Sequence, residues 1–318
     1  MPGTPTTFCG GRTVEDVDNR AEVRDFLTSR RERLSPDQVG LDAGGTRRVK
    51  GLRRGEVAVL AGVSVEYFTR LERGNLTGVS EAVLDALSRA LRLDEAERTH
   101  LFDLARAANA TGSARRKAAT PPRLRPGIQR VLDGMSWPAW VRNGCADFIA
   151  SNHLARALYS PVFDDPYRPA NTARFAFLNP HARAFYVDWD QTANDVVAAL
   201  HAEAGRNPYD KGLTDLIGEL STRSEDFRTR WAKHNVHFHR SGHKRLHHPV
   251  VGTLDLSYEA MEFPTEPGLT LLVYTAEPGT PTADALTLLA SWAATSAHRP
   301  QPQETAVAAV GRDDSEDT

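Results

Sequence analysis

The chain has 318 residues, of which 40% are hydrophobic and 8% aromatic, values typical of globular proteins with room for two domains. Its two cysteines, Cys9 and Cys145, lie far apart and outside any C-x-x-C pair, which argues against a disulfide framework or a cysteine zinc site. No apolar run approaches the ~18 residues that cross a bilayer, and the N-terminus lacks the apolar core of a signal peptide. We therefore expect a cytoplasmic protein with no membrane partner.

The net charge of −2 conceals an asymmetry that bears on nucleic-acid binding. Basic residues exceed acidic ones in residues 1–120, whereas acidic residues exceed basic ones in the remainder. Residues 43–54 hold no acid and contain five basic residues, namely Arg47, Arg48, Lys50, Arg53 and Arg54. Basic groups concentrated at one place are what phosphate contacts require.

The first predicted elements surround this basic stretch. Residues 1–20, rich in Gly, Pro and Thr, are expected to be disordered. Residues 21–34 show apolar residues at helical spacing and are predicted to form a helix, followed by a short helical turn over residues 35–39. The glycine-rich loop of residues 41–52 is either a solvated surface loop or a basic flap along the DNA backbone, and we favour the flap.

Residues 54–73, which read R-G-E-V-A-V-L-A-G-V-S-V-E-Y-F-T-R-L-E-R, predict two short helices joined by a tight turn. Ala58 permits close approach of the helices, Gly62 can take the positive φ of the turn, and Ser64 is a good N-cap. An ordinary helical hairpin is the alternative, but the basic flank favours a DNA-reading helix-turn-helix. The residues predicted to contact DNA are Arg47, Arg48, Arg54, Ser64, Val65, Glu66, Thr69, Arg70 and Arg73.

Two further helices complete the predicted N-terminal domain. Ser80 is the expected N-cap of a helix whose leucines share one face, and a fifth helix is predicted over residues 95–108. We thus predict an all-α, five-helix helix-turn-helix domain over residues 21–110. Residues 111–126 carry R-R-K and P-P without apolar periodicity and are predicted to be a linker.

Residues 127–297 are predicted to be an α+β domain with an antiparallel sheet. Two short strands over residues 138–141 and 146–150 flank Asn143-Gly144, a hairpin turn signal. Helical patterns follow, and strand patterns return in the ranges 236–240, 245–248, 252–262 and 269–275 before a last helix over 283–294. This order is typical of a PAS-like sensor. The polar tail, residues 298–318, is expected to be disordered.

Several segments resemble a known family. The stretch G-L-R-R-G-E-V-A-x-L-A-G-V-S-x-E-Y-x-T-R-L-E-R-G resembles the XRE-like helix-turn-helix proteins and, more closely, the MmyB-like transcription regulators. N-P-H-A-R-A-F-Y-V-D-W-D, S-G-H-K-R-L-H-H-P-V-V-G and V-Y-T-A-E-P-G resemble the ligand-binding domain of that family. The resemblance implies a PAS-like fold that is able to hold a fatty acid.

Aromatic and cationic residues of the second domain are candidates for binding such a ligand. Each aromatic side chain either lines a pocket or fills the core, and each cationic one either anchors a carboxylate or is a solvated surface charge. The predicted ligand-binding residues are Trp140, Phe148, Arg183, Phe185, Tyr186, Lys244, Arg245 and His248.

Histidine is concentrated between His234 and His248, in a cluster that also contains His237, His239, His243 and His247. A metal site would use such pairs, but the segment has no cysteine, few acids and no common ligand spacing, so a polar strand surface is the preferred interpretation. The sequence also lacks G-x-S-x-G, P-loop and dinucleotide-binding motifs. We predict no catalytic residue, no metal, no cofactor and no enzymatic activity.

These patterns together predict a bacterial, sequence-specific regulator that binds double-stranded DNA. We expect a homodimer whose second domain senses a small hydrophobic ligand such as a fatty acid. One alternative is a regulator whose second domain only dimerises or binds a protein partner. Another is a metal-dependent enzyme that uses the histidine cluster.

Overall fold

The computed structural model describes residues 14–41, 49, 51–109, 124–233 and 241–297. The N-terminal part of these residues forms a helical region that packs around one core. Its elements are α1 (Val14–Arg33), a 3-10 turn (Asp37–Val39), α2 (Arg54–Ala61), α3 (Val65–Glu72), α4 (Glu81–Ala90) and α5 (Glu95–Ala108).

The predicted helices of this region are present, and the first is longer than expected. Helix α1 begins at Val14, whereas the prediction placed its start at Ala21. The prediction extended the Gly, Pro and Thr bias of residues 1–13 to residue 20, although Val14, Val17 and Ala21 already follow helical spacing. Phe26 of α1, Phe68 of α3 and Leu104 of α5 are fully buried and join the helices in one core.

Glycine lets α1 approach the end of α3 at backbone distance. Gly74 has a φ of +90°, and a Cβ at this position would lie 2.2 Å from the carbonyl oxygen of Arg20. Gly51 faces α1 in the same way, because its Cβ would lie 2.5 Å from the backbone oxygen of Glu32. Any larger residue at either position would have to push α1 away.

The C-terminal part of the described residues mixes helices with a sheet. Its elements are α6 (Pro126–Asp133), β1 (Ala139–Arg142), β2 (Phe148–Ser151), α7 (His153–Leu158), α8 (Ser160–Phe163), α9 (Thr172–Leu178), α10 (Ala182–Phe185), α11 (Trp189–Arg206), α12 (Lys211–Arg223), α13 (Glu225–Trp231), β3 (Ser241–His248), β4 (Gly252–Glu262), β5 (Thr270–Thr275) and α14 (Pro281–Ala297). The strands form a five-stranded antiparallel sheet in the order β2-β1-β5-β4-β3. The predicted α+β class is confirmed.

Some local elements of the C-terminal region differ from the prediction. Helices α8 and α9 were not predicted, and the predicted strand over residues 236–240 lies outside the described residues. The β1–β2 hairpin exists, but its positive-φ residue is Ala146, at 62°, and Gly144 has no positive φ. In this loop the Asn143 side-chain oxygen accepts a hydrogen bond from the Asp147 N–H at 2.9 Å. The chain therefore reverses its direction after the Asn-Gly pair.

The two faces of the sheet bury different clusters. Trp140, Leu272 and Tyr258 lie on the face that packs against an aromatic core supplied by the helices between β2 and β3. On the opposite face, Val141 and Leu271 pack with the apolar side of α6. The alternation of residues along β1 therefore decides which side chains enter the aromatic core.

Helix α11 joins the two regions. Its residue Ala202 is buried in the core of the N-terminal region. The fully buried His201 places Nδ1 3.1 Å from Oε1 of Glu22 and Nε2 2.9 Å from the carbonyl oxygen of Trp231, and its ring stacks on that indole. One turn later, Gly205 lies so close to His100 that a Cβ would be 2.4 Å from the imidazole Nδ1. None of the described helices combines the length and apolar character needed to cross a membrane.

Candidate nucleic-acid interface and ligand-binding region

Helix α3 is positioned by a turn that the sequence encodes locally. Gly62 ends α2 with a φ of 66°, and its N–H donates to the carbonyl oxygens of Ala58 and Val59. Ser64 then caps α3, because its Oγ accepts a hydrogen bond from the Tyr67 N–H at 3.0 Å. Phe68, fully buried on the inner side of the helix, fixes which face is left outside.

The outer face of α3 borders a concave surface of about 490 Å³. Its lining contains the predicted residues Val65, Glu66, Thr69, Arg70 and Arg73, together with Arg20 and Asn75. Arg20 and Asn75 were not predicted. Arg20 belongs to α1, and only the close approach of α1 to Gly74 brings it there, so no local pattern in the sequence could have indicated it.

Arg70 of α3 and Arg73, which directly follows the helix, are exposed, and no ion pair of either is found within the described residues. The Arg70 guanidinium lies 4.7 Å from the centre of the Tyr67 ring, a cation–π contact that orients it along the helix surface. Arg73 follows the last residue of the helix and lies on the same rim. Both side chains are therefore available to an anionic partner.

Arg54, another residue predicted to contact DNA, already has a partner within the protein. Arg54 forms an ion pair with the buried carboxylate of Glu72, which also accepts from Arg31 Nε at 2.5 Å. This network ties α2 to α3 and to α1, although about half of the Arg54 side chain stays exposed. Arg47 and Arg48 lie outside the described residues.

The predicted aromatic ligand residues are brought together in the C-terminal region. Trp140, Phe185 and Tyr186 are almost completely buried in one cluster, and Phe148 stacks on Trp140 with ring centres 3.9 Å apart. Tyr159 stands between them and shares a 2.7 Å hydroxyl–hydroxyl hydrogen bond with Tyr274 of β5. These rings touch one another and form an aromatic wall beside the sheet.

The predicted cationic residues divide between the inside and the outside of this region. Arg245 faces outward on β3 and forms a bidentate pair with Asp188 at 2.7 and 2.6 Å, and this arginine lowers the pKa of the Asp188 carboxyl. Arg183 is also exposed, 3.6 Å above the Trp189 ring and hydrogen-bonded to Asp226. The structure therefore does not bring these two arginines to the aromatic wall.

His248 and Lys244 alternate with Arg245 and face inward. The Nδ1 atom of His248 lies 3.2 Å from the Val250 N–H, and its Nε2 lies 3.0 Å from the Ala157 carbonyl oxygen. Burial lowers the pKa of His248, so the ring is a neutral, satisfied core residue with Nε2 as the donor. Lys244 instead places its Nζ 5.6 Å from the Tyr186 ring and 5.8 Å from the Tyr258 ring.

Arg142 is a second inward-facing cation, and it was not among the predicted ligand-binding residues. It ends β1, two residues after Trp140 and hence on the same face of the sheet. Its Nε is fully buried and has no hydrogen-bond partner within the described residues. Burial lowers the pKa of the Arg142 guanidinium, and the charge of Glu203 opposes that shift. An arginine at an alternate position of the apolar strand A-W-V-R was the available signal.

Comparison with known families decides the identity. Residues 124–289, just over half of the chain, match the family model described as the MmyB-like transcription regulator ligand binding domain. The chain belongs to the MmyB-like transcription regulators. Residues 19–101 match a helix-turn-helix domain model, and no curated protein gives a match. The predicted resemblance is confirmed, and this MmyB-like regulator belongs to a class of transcription regulators, not of enzymes.

The histidine cluster of this MmyB-like regulator is only partly described. His234, His237 and His239 lie outside the described residues. His243 and His247 are exposed on β3, where their Nδ1 atoms lie 3.3 and 3.2 Å from the hydroxyls of Ser257 and Thr253. Within the described ranges, no three potential ligands come together as a metal site.

Proposed function

We propose that this MmyB-like regulator recognises a specific DNA sequence through α3 and acts in the cytoplasm. The observation that carries the proposal is the uncovered outer face of α3, where Arg70 and Arg73 stand beside a concave surface without an ion-pair partner in the described residues. A helix of this kind enters the major groove with its exposed side chains toward the base edges.

The two arginines are assigned different roles. Arg70 projects from the middle of the exposed face and is suited to a bidentate contact with a guanine edge, worth about 1–3 kcal/mol of discrimination. Arg73, after the end of the helix, is suited to a phosphate, which carries no sequence information. Arg20 of α1, on the same rim, is a further candidate for phosphate contact.

The test compares Arg70→Ala and Arg73→Ala on a cognate duplex and on a scrambled duplex of equal length. Arg70→Ala should reduce the ratio of the two affinities by about 5- to 150-fold, the equivalent of about 1–3 kcal/mol. Arg73→Ala should weaken binding to both duplexes equally and lower the slope of log K against log salt by about 0.9. Equal losses on both duplexes for Arg70→Ala would rule out its base-reading role.

For the ligand, we propose an amphipathic carboxylate such as a fatty acid. The family match assigns a ligand-binding domain without naming its ligand. An apolar tail suits the aromatic wall formed by Trp140, Phe148, Phe185 and Tyr186, because such surfaces bury most of a ligand. Inward-facing cations beside an apolar wall support a ligand with one acidic end.

We further propose that the regulator is a homodimer. Leu288 and Trp292 lie four residues apart on α14 and are 65% and 42% exposed, which gives the last helix an apolar outer stripe. A two-fold dimer presents two copies of α3 to half-sites about 34 Å apart, one turn of DNA. The alternative, in which the second domain only dimerises or binds a protein, keeps this stripe but requires no lipid.

A further inference from the structure

Two cations on non-adjacent strands of the sheet point into the C-terminal region from the same face. Arg142 lies on β1 and Lys244 on the edge strand β3, and both face the side of the sheet that carries the aromatic core. The register places Tyr274 of β5 opposite Tyr258 of β4 and Tyr258 opposite Gly242 of β3, so tyrosines occupy the sheet between the two cations.

Neither cation is neutralised by a close partner within the described residues. The Nε of Arg142 is fully buried without a hydrogen bond, and Lys244 is seen to contact only the faces of two tyrosine rings. Burial also lowers the pKa of Lys244, and the nearby charge of Arg142 lowers it further, so the two groups are within electrostatic reach of each other. Both side chains are partly buried, and a partly buried positive charge without a close counter-ion is unfavourable, which makes such a group a candidate for a functional role.

Two carboxylates of α11 act electrostatically on these cations and have hydrogen-bond partners of their own. Asp195 accepts a hydrogen bond from Gln191 at 2.7 Å, and Glu203 accepts one from Asn207 at 2.6 Å. Asp195 acts to raise the pKa of Lys244, and Glu203 acts to raise the pKa of Arg142. No ion pair between these carboxylates and the two cations is found in the described ranges. Their charge reduces the local positive potential without occupying the donors.

We propose that Arg142 and Lys244 form the head-group site of the ligand-binding domain and bind the carboxylate of its amphipathic ligand. The proposal rests on the proposed lipid-binding function and replaces the surface arginines Arg183 and Arg245 as anchors. Arg142 supplies planar N–H donors and Lys244 a point charge, which is a suitable combination for a carboxylate. The hydroxyls of Tyr258 and Tyr274 lie in the same region and offer neutral donors.

The test uses the full-length, delipidated protein and two probes with the same tail, dodecanoate and dodecanol. Dissociation constants are measured by titration calorimetry for wild type, Arg142→Met and Lys244→Met. Wild type should bind dodecanoate at least about tenfold more tightly than dodecanol, since charge-assisted hydrogen bonds to the head group are lost with the alcohol. Each variant should lose most of this preference and keep its affinity for dodecanol.

Two controls separate a head-group role from a structural one. Arg245→Met removes an outward cation of the same strand that is paired with Asp188, and it should retain the preference for dodecanoate. Without ligand, Arg142→Met should unfold at a temperature no lower than wild type, because it removes a guanidinium whose buried Nε has no hydrogen-bond partner within the described residues. Lys244→Met provides a second, independent variant if the first does not fold.

Each outcome decides one point. If both variants keep the wild-type ratio of affinities, the head-group site is wrong although the domain still binds lipid. If Arg245→Met alone loses the ratio, the anchor is on the outer face. When wild type binds neither probe, the lipid proposal and the head-group site both fail.

Discussion

Replacing Glu97 with glutamine should destabilise the DNA-binding region more than any surface change. The Glu97 side chain is 2% exposed and accepts from Arg33 at 2.7 and 3.1 Å. The equally buried Arg30 lies 3.2 Å from the same carboxylate, and the Asp94 N–H donates to it at 3.1 Å. Neutralising Glu97 removes the charge of the buried carboxylate that both Arg30 and Arg33 face.

The expected cost is about 3–5 kcal/mol, the value for breaking one partner of a buried ion pair. With a urea m-value of about 2 kcal/mol/M for a small domain, the midpoint falls by roughly 2 M. Far-UV circular dichroism should report this loss. The tryptophan transition should shift less, because all five tryptophans follow residue 136 and thus report the C-terminal region. The control Glu81→Gln, an exposed first-turn residue of α4, should cost less than about 1 kcal/mol.

The stability difference between wild type and Glu97→Gln should also depend on pH. Burial acts to raise the pKa of Glu97, but the hydrogen bond from Arg33 and the charge of Arg30 outweigh it, so the pKa lies below the usual 4.5. A carboxyl whose pKa is lower in the folded state than in the unfolded state contributes its full stabilisation at a pH above the unfolded-state pKa. This contribution to folding is lost as the pH falls through the folded-state pKa. The gap between wild type and Glu97→Gln should therefore narrow below pH 4.5. A gap under about 1 kcal/mol at neutral pH, or one that stays constant into acid, would refute the buried-pair argument.

Two further substitutions test packing and assembly. Gly74→Ala should destabilise the N-terminal region by about 2–5 kcal/mol, because it adds positive-φ strain and displaces α1. The control Gly78→Ala measures the strain alone, since Gly78 has a φ of +71° and nothing within 4 Å of its Cβ position. Equal losses of stability in chemical unfolding would exclude a clash between the Cβ added at position 74 and α1. Leu288→Lys should shift the monomer–dimer equilibrium, measured by sedimentation, toward the monomer. Thr287→Lys changes the neighbouring exposed residue and should leave that equilibrium unchanged. An unaltered dimer in Leu288→Lys would place the interface elsewhere.

The sequence was most informative where the structure is decided locally. Gly62, Ser64 and Phe68 fix a turn, a cap and an inward anchor within seven residues, and the outer face of α3 follows from them. Arg20 and Arg142 were missed because their positions depend on contacts made far along the chain, α1 against Gly74 and β1 against β5.

The choice of ligand anchor shows the same limit on one strand. Lys244 and Arg245 are neighbours in sequence and were equivalent candidates. Strand alternation puts them on opposite faces, and the fully buried Leu246 sets which face is inside. The burial of that leucine depends on its pairing with Leu254 of β4, which the residues of β3 alone do not specify.

Helix α11 is one rigid element that contacts both regions. The charges of Asp195 and Glu203 act on the pKa of the inward cations, while His201 and Ala202 of the same helix are held by α1 and the N-terminal core. An α-helix rises 1.5 Å per residue, so Asp195 and Ala202 are only about 10 Å apart on one stiff rod. If a bound carboxylate moves that rod and thereby alters DNA affinity by some factor, thermodynamic linkage requires DNA to alter carboxylate affinity by the same factor. The DNA operator would then be an effector of the proposed lipid site.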